Sequence, residues 1–180
     1  MKKKFLIGLS FGLVCIVILK TWFTSIKIEG DSMSPFAQNS QNFIVNKRAY
    51  TLLPPKRQDV ILFYNSQLQF QSIGRIIALP GETLQIMDGH VVLNSKDLSE
   101  PYVPSDQKTE FTKGVVVTPL DTDRLSLEVS DSPFYQSDQK ITLSSDEYFI
   151  MGDNREQSID SRAFGPIKSA DIVGKLIFKY

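Results

Sequence analysis

The feature that most limits how this chain can fold lies at its start. Lys2, Lys3 and Lys4 precede a stretch from Phe5 to Leu19 without a charged residue, and Lys20 interrupts it just before Trp22 and Phe23. Phe5 to Phe23 is about long enough to cross a bilayer. Lys20 can snorkel to the interface, and the two aromatics stand where an interfacial belt would stand. A basic start and an apolar core also fit a secretory signal peptide. Two features speak against cleavage: "VILKTWFTSIKIEG" has no small-x-small pair before a cut site, and bulky Trp22 and Phe23 occupy that place. The reading is a cytoplasmic tail at 1–4, a retained single-pass anchor at 5–23 and an outer domain at 24–180.

Beyond the anchor the signals are those of strands. "NFIVNK" (42–47) and "DVILFY" (59–64) are short runs rich in Val, Ile and aromatics. "LQFQSIGRIIAL" (68–79) alternates and then turns continuously apolar, and Pro80-Gly81 ends it. "TLQIMDGHVVL" (83–93) predicts a hairpin around Asp88-Gly89. "EYFIMGDN" (147–154) predicts a strand ending in a turn, and "DIVGKLIFKY" (171–180) a closing strand. No helical period is evident after the anchor. Residues 95 to about 145 are polar and read as an insertion with weak strands at 114–118 and 124–129. The fold expected is an all-β barrel or sandwich behind one transmembrane helix.

Composition removes several functions. The formal net charge is +0, so nothing electrostatic points to nucleic acid. The one cysteine, Cys15, lies in the apolar run, which rules out a disulfide within one chain. The one histidine, His90, follows the Asp-Gly turn and reads as the start of a strand rather than as part of a Ser-His-Asp triad. Nothing in the sequence asks for a metal or a cofactor.

Four segments, in order, carry a resemblance: "GDSMSP" (30–35), "RQDVILFY" (57–64), "GRIIALPGE" (74–82) and "MGDNREQSIDSRAFGPI" (151–167). Together they resemble the boxes of bacterial type I signal peptidases, which are membrane-anchored, all-β serine endopeptidases that remove signal peptides with a Ser-Lys dyad. The resemblance makes Ser32 the candidate nucleophile, with Met33 and Pro35 matching its box and Asp31 beside it. It makes Ser158 a supporting hydroxyl. It also implies two pairs, Arg75 with Asp153 and Asp160 with Arg162, as structural clamps. The family's general-base lysine falls on Gly74.

A serine hydroxyl is a poor nucleophile until a base takes its proton. Gly74 has no side chain, and neighbouring Arg75 stays protonated. The chain thus looks like dyad-deficient relatives from Gram-positive pilus gene clusters, a pseudo-enzyme-like accessory or chaperone in pilus assembly or protein export. Its partners would be pilin subunits or a sortase, with an extended segment held by strand addition. The alternative is an active signal peptidase that uses Ser32 with a base recruited from elsewhere, and takes signal peptides as substrates.

Overall fold

A computed structural model describes residues 20–66, 68–121, 124–136 and 138–180, so the apolar run at 5–19 lies outside the described residues. Among the described residues no helix is long and apolar enough to cross a membrane. Residues 20–22 are helical, and Phe23, read above as the last residue of the anchor, instead opens the first strand.

The strands are β1 (Phe23–Lys27), β2 (Asn42–Asn46), β3 (Val60–Asn65), β4 (Phe70–Ala78), β5 (Thr83–Met87), β6 (His90–Leu93) and β7 (Lys96–Asp97). They continue with β8 (Lys113–Asp121), β9 (Arg124–Pro133), β10 (Ile141–Thr142), β11 (Glu147–Met151), β12 (Ile167–Lys168) and β13 (Ile172–Lys179). One helical turn, α1 (Ser161–Phe164), and a short 3-10 turn (Ser169–Asp171) stand between β11 and β13. Sequence periodicity missed both, because neither is long enough to show a helical repeat.

A seven-stranded sheet runs in the order β1-β2-β13-β3-β4-β11-β12, a four-stranded sheet in the order β10-β5-β6-β7, and β8 with β9 forms a separate ribbon. The described pairings are antiparallel, the pattern that short turns permit. The Asp88-Gly89 turn has φ of 51° and 84°, the double left-handed geometry that this dipeptide favours in a two-residue hairpin. His90 follows as an exposed residue paired with Met87. The ribbon is longer than the two weak strands read from the sequence.

The continuous apolar runs have a simple cause: the middle of the large sheet is buried on both faces. On β3, Val60 and Leu62 enter a cluster with Ile28, Met33, Phe43 and Val45, whereas Ile61 and Phe63 pack on the other face with Ile76 and Phe164. On β11, Tyr148 and Ile150 join that second cluster. Phe149 and Met151 point the other way, into a third cluster with Leu84, Val91 and Leu93 of the small sheet.

Gly174 of β13 lies against β2. A Cβ there would stand 2.5 Å from the Asn46 carbonyl oxygen and 2.9 Å from a Val45 methyl. The backbone cannot give way without opening the β2–β13 ladder. Gly174→Ala is therefore expected to lower the midpoint of thermal unfolding well below wild type, whereas Gly74→Ala, whose Cβ would meet nothing closer than 3.6 Å, leaves it near wild type. Circular dichroism melts of the three proteins in one detergent check this contrast.

Candidate functional site

The turn carrying Ser32 follows β1. Asp31 is exposed, and its carbonyl accepts from the Ser34 N–H at 3.0 Å, which closes the turn. Met33 is 1% exposed and sits in the cluster of Phe43, Val45 and Leu62, while its carbonyl accepts from the Ala37 N–H. A buried Met next to the candidate nucleophile pins the turn to the core and leaves Ser32 half-buried beside it. The Ser34–Pro35 peptide is cis, and Pro35 is exposed. Phe36 does not fill the cavity at Ser32. It stacks on Phe43 and carries the Arg75 guanidinium 5.2 Å from its ring centre.

The other half of the site comes from the segment after β11. The Asn154 N–H donates to the Ser32 carbonyl at 3.0 Å. A Cβ on Gly152 would overlap both the Ser32 carbonyl and the Ser158 Oγ, so only glycine lets these three elements meet. Ser158 is itself buried. Gly74 is buried one step away: its missing side chain would contact the Met151 carbonyl and the Ile150 side chain, just before Gly152 in the chain. The structure thus brings Ser32, Ser158 and Gly74 around one corner, and no side chain projects from the Gly74 position.

Buried arginine–carboxylate forks hold that corner. Arg75 of β4 donates from Nε and Nη2 to Asp153 at 2.7 and 2.5 Å, and from Nη1 to the Gln58 carbonyl. Its guanidinium also lies 4.3 Å from the Tyr102 ring centre. Asp160 caps α1 by accepting from the Arg162 N–H, and Arg162 grips it at 2.8 Å through both Nε and Nη2. The second oxygen of Asp160 also accepts from the Gly152 N–H at 3.0 Å.

A third fork was not signalled by the motifs. Arg155 is 1% exposed and donates to Glu100 at 2.6 and 3.1 Å, to the Gly152 carbonyl and to the Thr109 hydroxyl. Its partners Glu100 and Thr109 belong to the polar insertion. So does Glu110, whose carbonyl accepts from Arg162, and Gln107, which bonds Asn154 and Arg155. The segment 100–110 is therefore built into the site's frame.

A cavity of about 250 Å³ opens at Ser32. One wall is Ile26 to Glu29, the other Gln71 to Ile73 of β4, with Leu62 between. Both walls expose backbone edges: β1 ends the large sheet, and β11 pairs with β4 only from Arg75 to Ala78. An extended peptide entering here could pair with unpaired strand edges. Lys27, which is exposed, lines the same cavity as Ser32.

The two carboxylates of the corner respond oppositely to their surroundings. Burial pushes the Asp153 carboxyl above its ordinary value, against the pull of Arg75. Burial also acts upward on Asp160, but the Arg162 charge and hydrogen bond and the Gly152 N–H outweigh it and hold that carboxyl below its ordinary value. A carboxylate lowered in the folded state stabilises the fold above the unfolded pKa of about 3.9, and that contribution drains away as pH falls through and below it. Through Asp160 wild type is expected to lose stability as pH falls below about 4, a loss that the raised Asp153 carboxyl partly offsets, whereas Asp160→Asn flattens that acid limb and costs about 3–5 kcal/mol at neutral pH by leaving Arg162 buried and unpaired. Unfolding midpoints from pH 7 to pH 3 for both proteins check the sign and the size.

Comparison with known proteins shows the family to which the chain belongs. A family profile described as signal peptidase, peptidase S26, matches residues 2–180. Signal peptidase I V of Bacillus subtilis (strain 168) is 33% identical over 177 residues, covering 97% of this chain and 96% of its own. Signal peptidase I of Bacillus caldolyticus is 33% identical over 173 residues, 94% of this chain and 87% of its own. A crystal structure of a signal peptidase I from Enterococcus faecalis V583 shares 30% identity and covers 68% of this chain and 97% of its own, with a TM-score of 0.47.

Proposed function

We propose that this chain, which belongs to the signal peptidase family, peptidase S26, binds its peptide without an ordinary Ser-Lys dyad. The observation that carries this reading is Gly74. It occupies the general-base position of the family's third box, and no side chain leaves it toward the Ser32 corner. General-base assistance is worth roughly 10²–10⁴-fold in rate, so its loss alone would leave Ser32 nearly inert. The surrounding frame is well built, with three buried arginine forks, the Gly152 contact and two open strand edges. A frame kept without its base is suited to holding an extended segment. On this reading the chain is an accessory or chaperone of pilus assembly or protein export. It is anchored by the apolar run that ends before Phe23, with its β domain outside the cell, and its partners are pilin subunits or a sortase.

One observation favours the second reading, an active peptidase with a substitute base: Lys27 lines the Ser32 cavity. A lysine serves as a base when a dry, apolar setting removes its proton, and Lys27 is exposed. The geometry therefore weighs toward binding.

The two readings part on one experiment. A fluorogenic signal-peptide substrate is incubated in detergent with wild type, Ser32→Ala, Gly74→Lys and Lys27→Met. Wild type is expected to be silent yet to bind the uncleaved peptide, and Gly74→Lys to gain cleavage that a second change, Ser32→Ala, abolishes. Cleavage by wild type that disappears in Ser32→Ala and in Lys27→Met would instead establish a peptidase working through the cavity amine. The Gly74 position has room for a Cβ, which meets only ordinary contacts at 3.6 Å or more.

A further inference from the structure

Between β2 and β3 the chain reads Lys47-Arg48-Ala49-Tyr50-Thr51-Leu52-Leu53-Pro54-Pro55-Lys56-Arg57. Leu52 is 93% exposed and Leu53 62%, an adjacent pair of large apolar side chains held in water. Single exposed leucines are ordinary, but a contiguous pair at a loop tip points to contact with another phase or partner. The loop is not slack. Asp59 clamps both its flanks, accepting from the Tyr50 hydroxyl at 3.0 Å and from the Lys56 N–H at 3.1 Å, and is itself held by Lys175. Hydrogen bonds from the Arg48 and Ala49 N–H groups to Asn46 and from Thr51 to Arg48 shape the ascending side. The leucines are thus presented on a braced tip.

The surroundings of that tip select the occupant. Lys47, Arg48 and Lys56 are exposed, and among the described residues none of them forms an ion pair. No acidic residue occurs from Lys47 to Gln58. Apolar side chains flanked by unpaired cations match an anionic bilayer surface, where leucines enter the acyl boundary and cations meet lipid phosphates. The loop also starts where the chain leaves the apolar N-terminal run: the Lys47 N–H donates to the Trp22 carbonyl at 2.8 Å, and Asn46 pairs with Phe23. A loop tied to that exit point has the bilayer as its nearest neighbour.

We propose that the 47–57 loop is a second membrane contact, with Leu52 and Leu53 inserted at the interface and Lys47, Arg48 and Lys56 on anionic headgroups. This rests on the anchored reading of the apolar run before Phe23. Its consequence concerns the Ser32 cavity. Phe23 and Ile28 are five residues apart along the first wall, roughly 17 Å at about 3.3 Å per residue. Two contacts, anchor and loop, would constrain the height and tilt of the cavity above the bilayer more than the anchor alone.

The test uses the full chain reconstituted in vesicles. With Cys15→Ser as background, Leu52→Cys carries a polarity-sensitive fluorophore, and Lys96→Cys on β7 is the control. Vesicles contain phosphatidylcholine alone or mixed with phosphatidylglycerol, with and without nitroxide-labelled lipid. The expected result is a blue-shifted, nitroxide-quenched signal at 52 and none at 96, with stronger quenching in the anionic vesicles that Lys47→Gln with Arg48→Gln and Lys56→Gln removes. A water-like, unquenched signal at 52 in vesicles that carry the protein overturns the proposal. A blue shift without quenching also overturns it, because the loop would then be covered by protein. Flotation of the vesicles reports the anchor separately: a chain that does not float refutes the anchored reading, and this proposal with it.

Discussion

The structure around Ser32 depends on guanidinium groups taken out of water. Arg75, Arg155 and Arg162 are each at most 8% exposed, and each faces a carboxylate through two donors. Removing two charges from water costs several kcal/mol per ion, which their attraction offsets only when geometry is good and remaining donors find acceptors. Here they do: Gln58, Gly152, Glu110 and Arg155 supply carbonyls for the leftover N–H groups. Well-packed apolar residues could stabilise a core as well, so stability alone is a weak reason for such pairs. Their geometric effect is more specific. A planar fork fixes direction as well as distance, and three of them set where Gly152 to Arg162 stands relative to β4 and the insertion.

That constraint reaches the candidate nucleophile through very few atoms. Asp160 holds the Gly152 N–H, Arg155 holds the Gly152 carbonyl, and Gly152 touches the Ser32 carbonyl and the Ser158 hydroxyl. Asn154 adds a hydrogen bond to the same Ser32 carbonyl. From the other side Met33 is sunk in the core. Ser32 is therefore fixed by its backbone on two sides. Its reactivity then turns on whether a base is present, not on whether the turn is ordered.

Most strands were legible because the forces that make them are local. Periodicity, β-branched residues and turn chemistry placed β2 to β6, β11 and β13 within a residue or two of where they lie. β1 was hidden because it begins directly after the apolar run, and Phe23 fits either side of that boundary. α1 was hidden because a single turn carries no repeat; its local signs are only its caps, Asp160 and Gly165. Motif order alone pointed to Ser32, Gly74 and Ser158, and Gly152 touches both serines while Gly74 lies against Met151 beside it. The frame was only half readable. Arg75 with Asp153 and Asp160 with Arg162 follow from the boxes, but Arg155 finds Glu100 across 55 residues of chain. Glu100, Thr109 and Tyr102 sit in a polar stretch without periodicity, where no local pattern marks a residue whose partner lies elsewhere.

The same distinction explains why a glycine at position 74 disturbs so little else. Gly74 sits mid-strand, paired with Ile61, where glycine ordinarily weakens a sheet. The weakness is contained because its neighbours do not rely on it. Arg75 is held by Asp153 and Gln58, Ile76 is packed in a core cluster, and β3 continues the ladder on both sides. A lysine at that position would add chemistry to the corner, whereas the corner's shape is set by residues that do not include it. Shape and chemistry are thus separable in this fold. The cavity, the two strand edges left open among the described residues and the braced corner form a physical unit that draws on no side chain at Gly74.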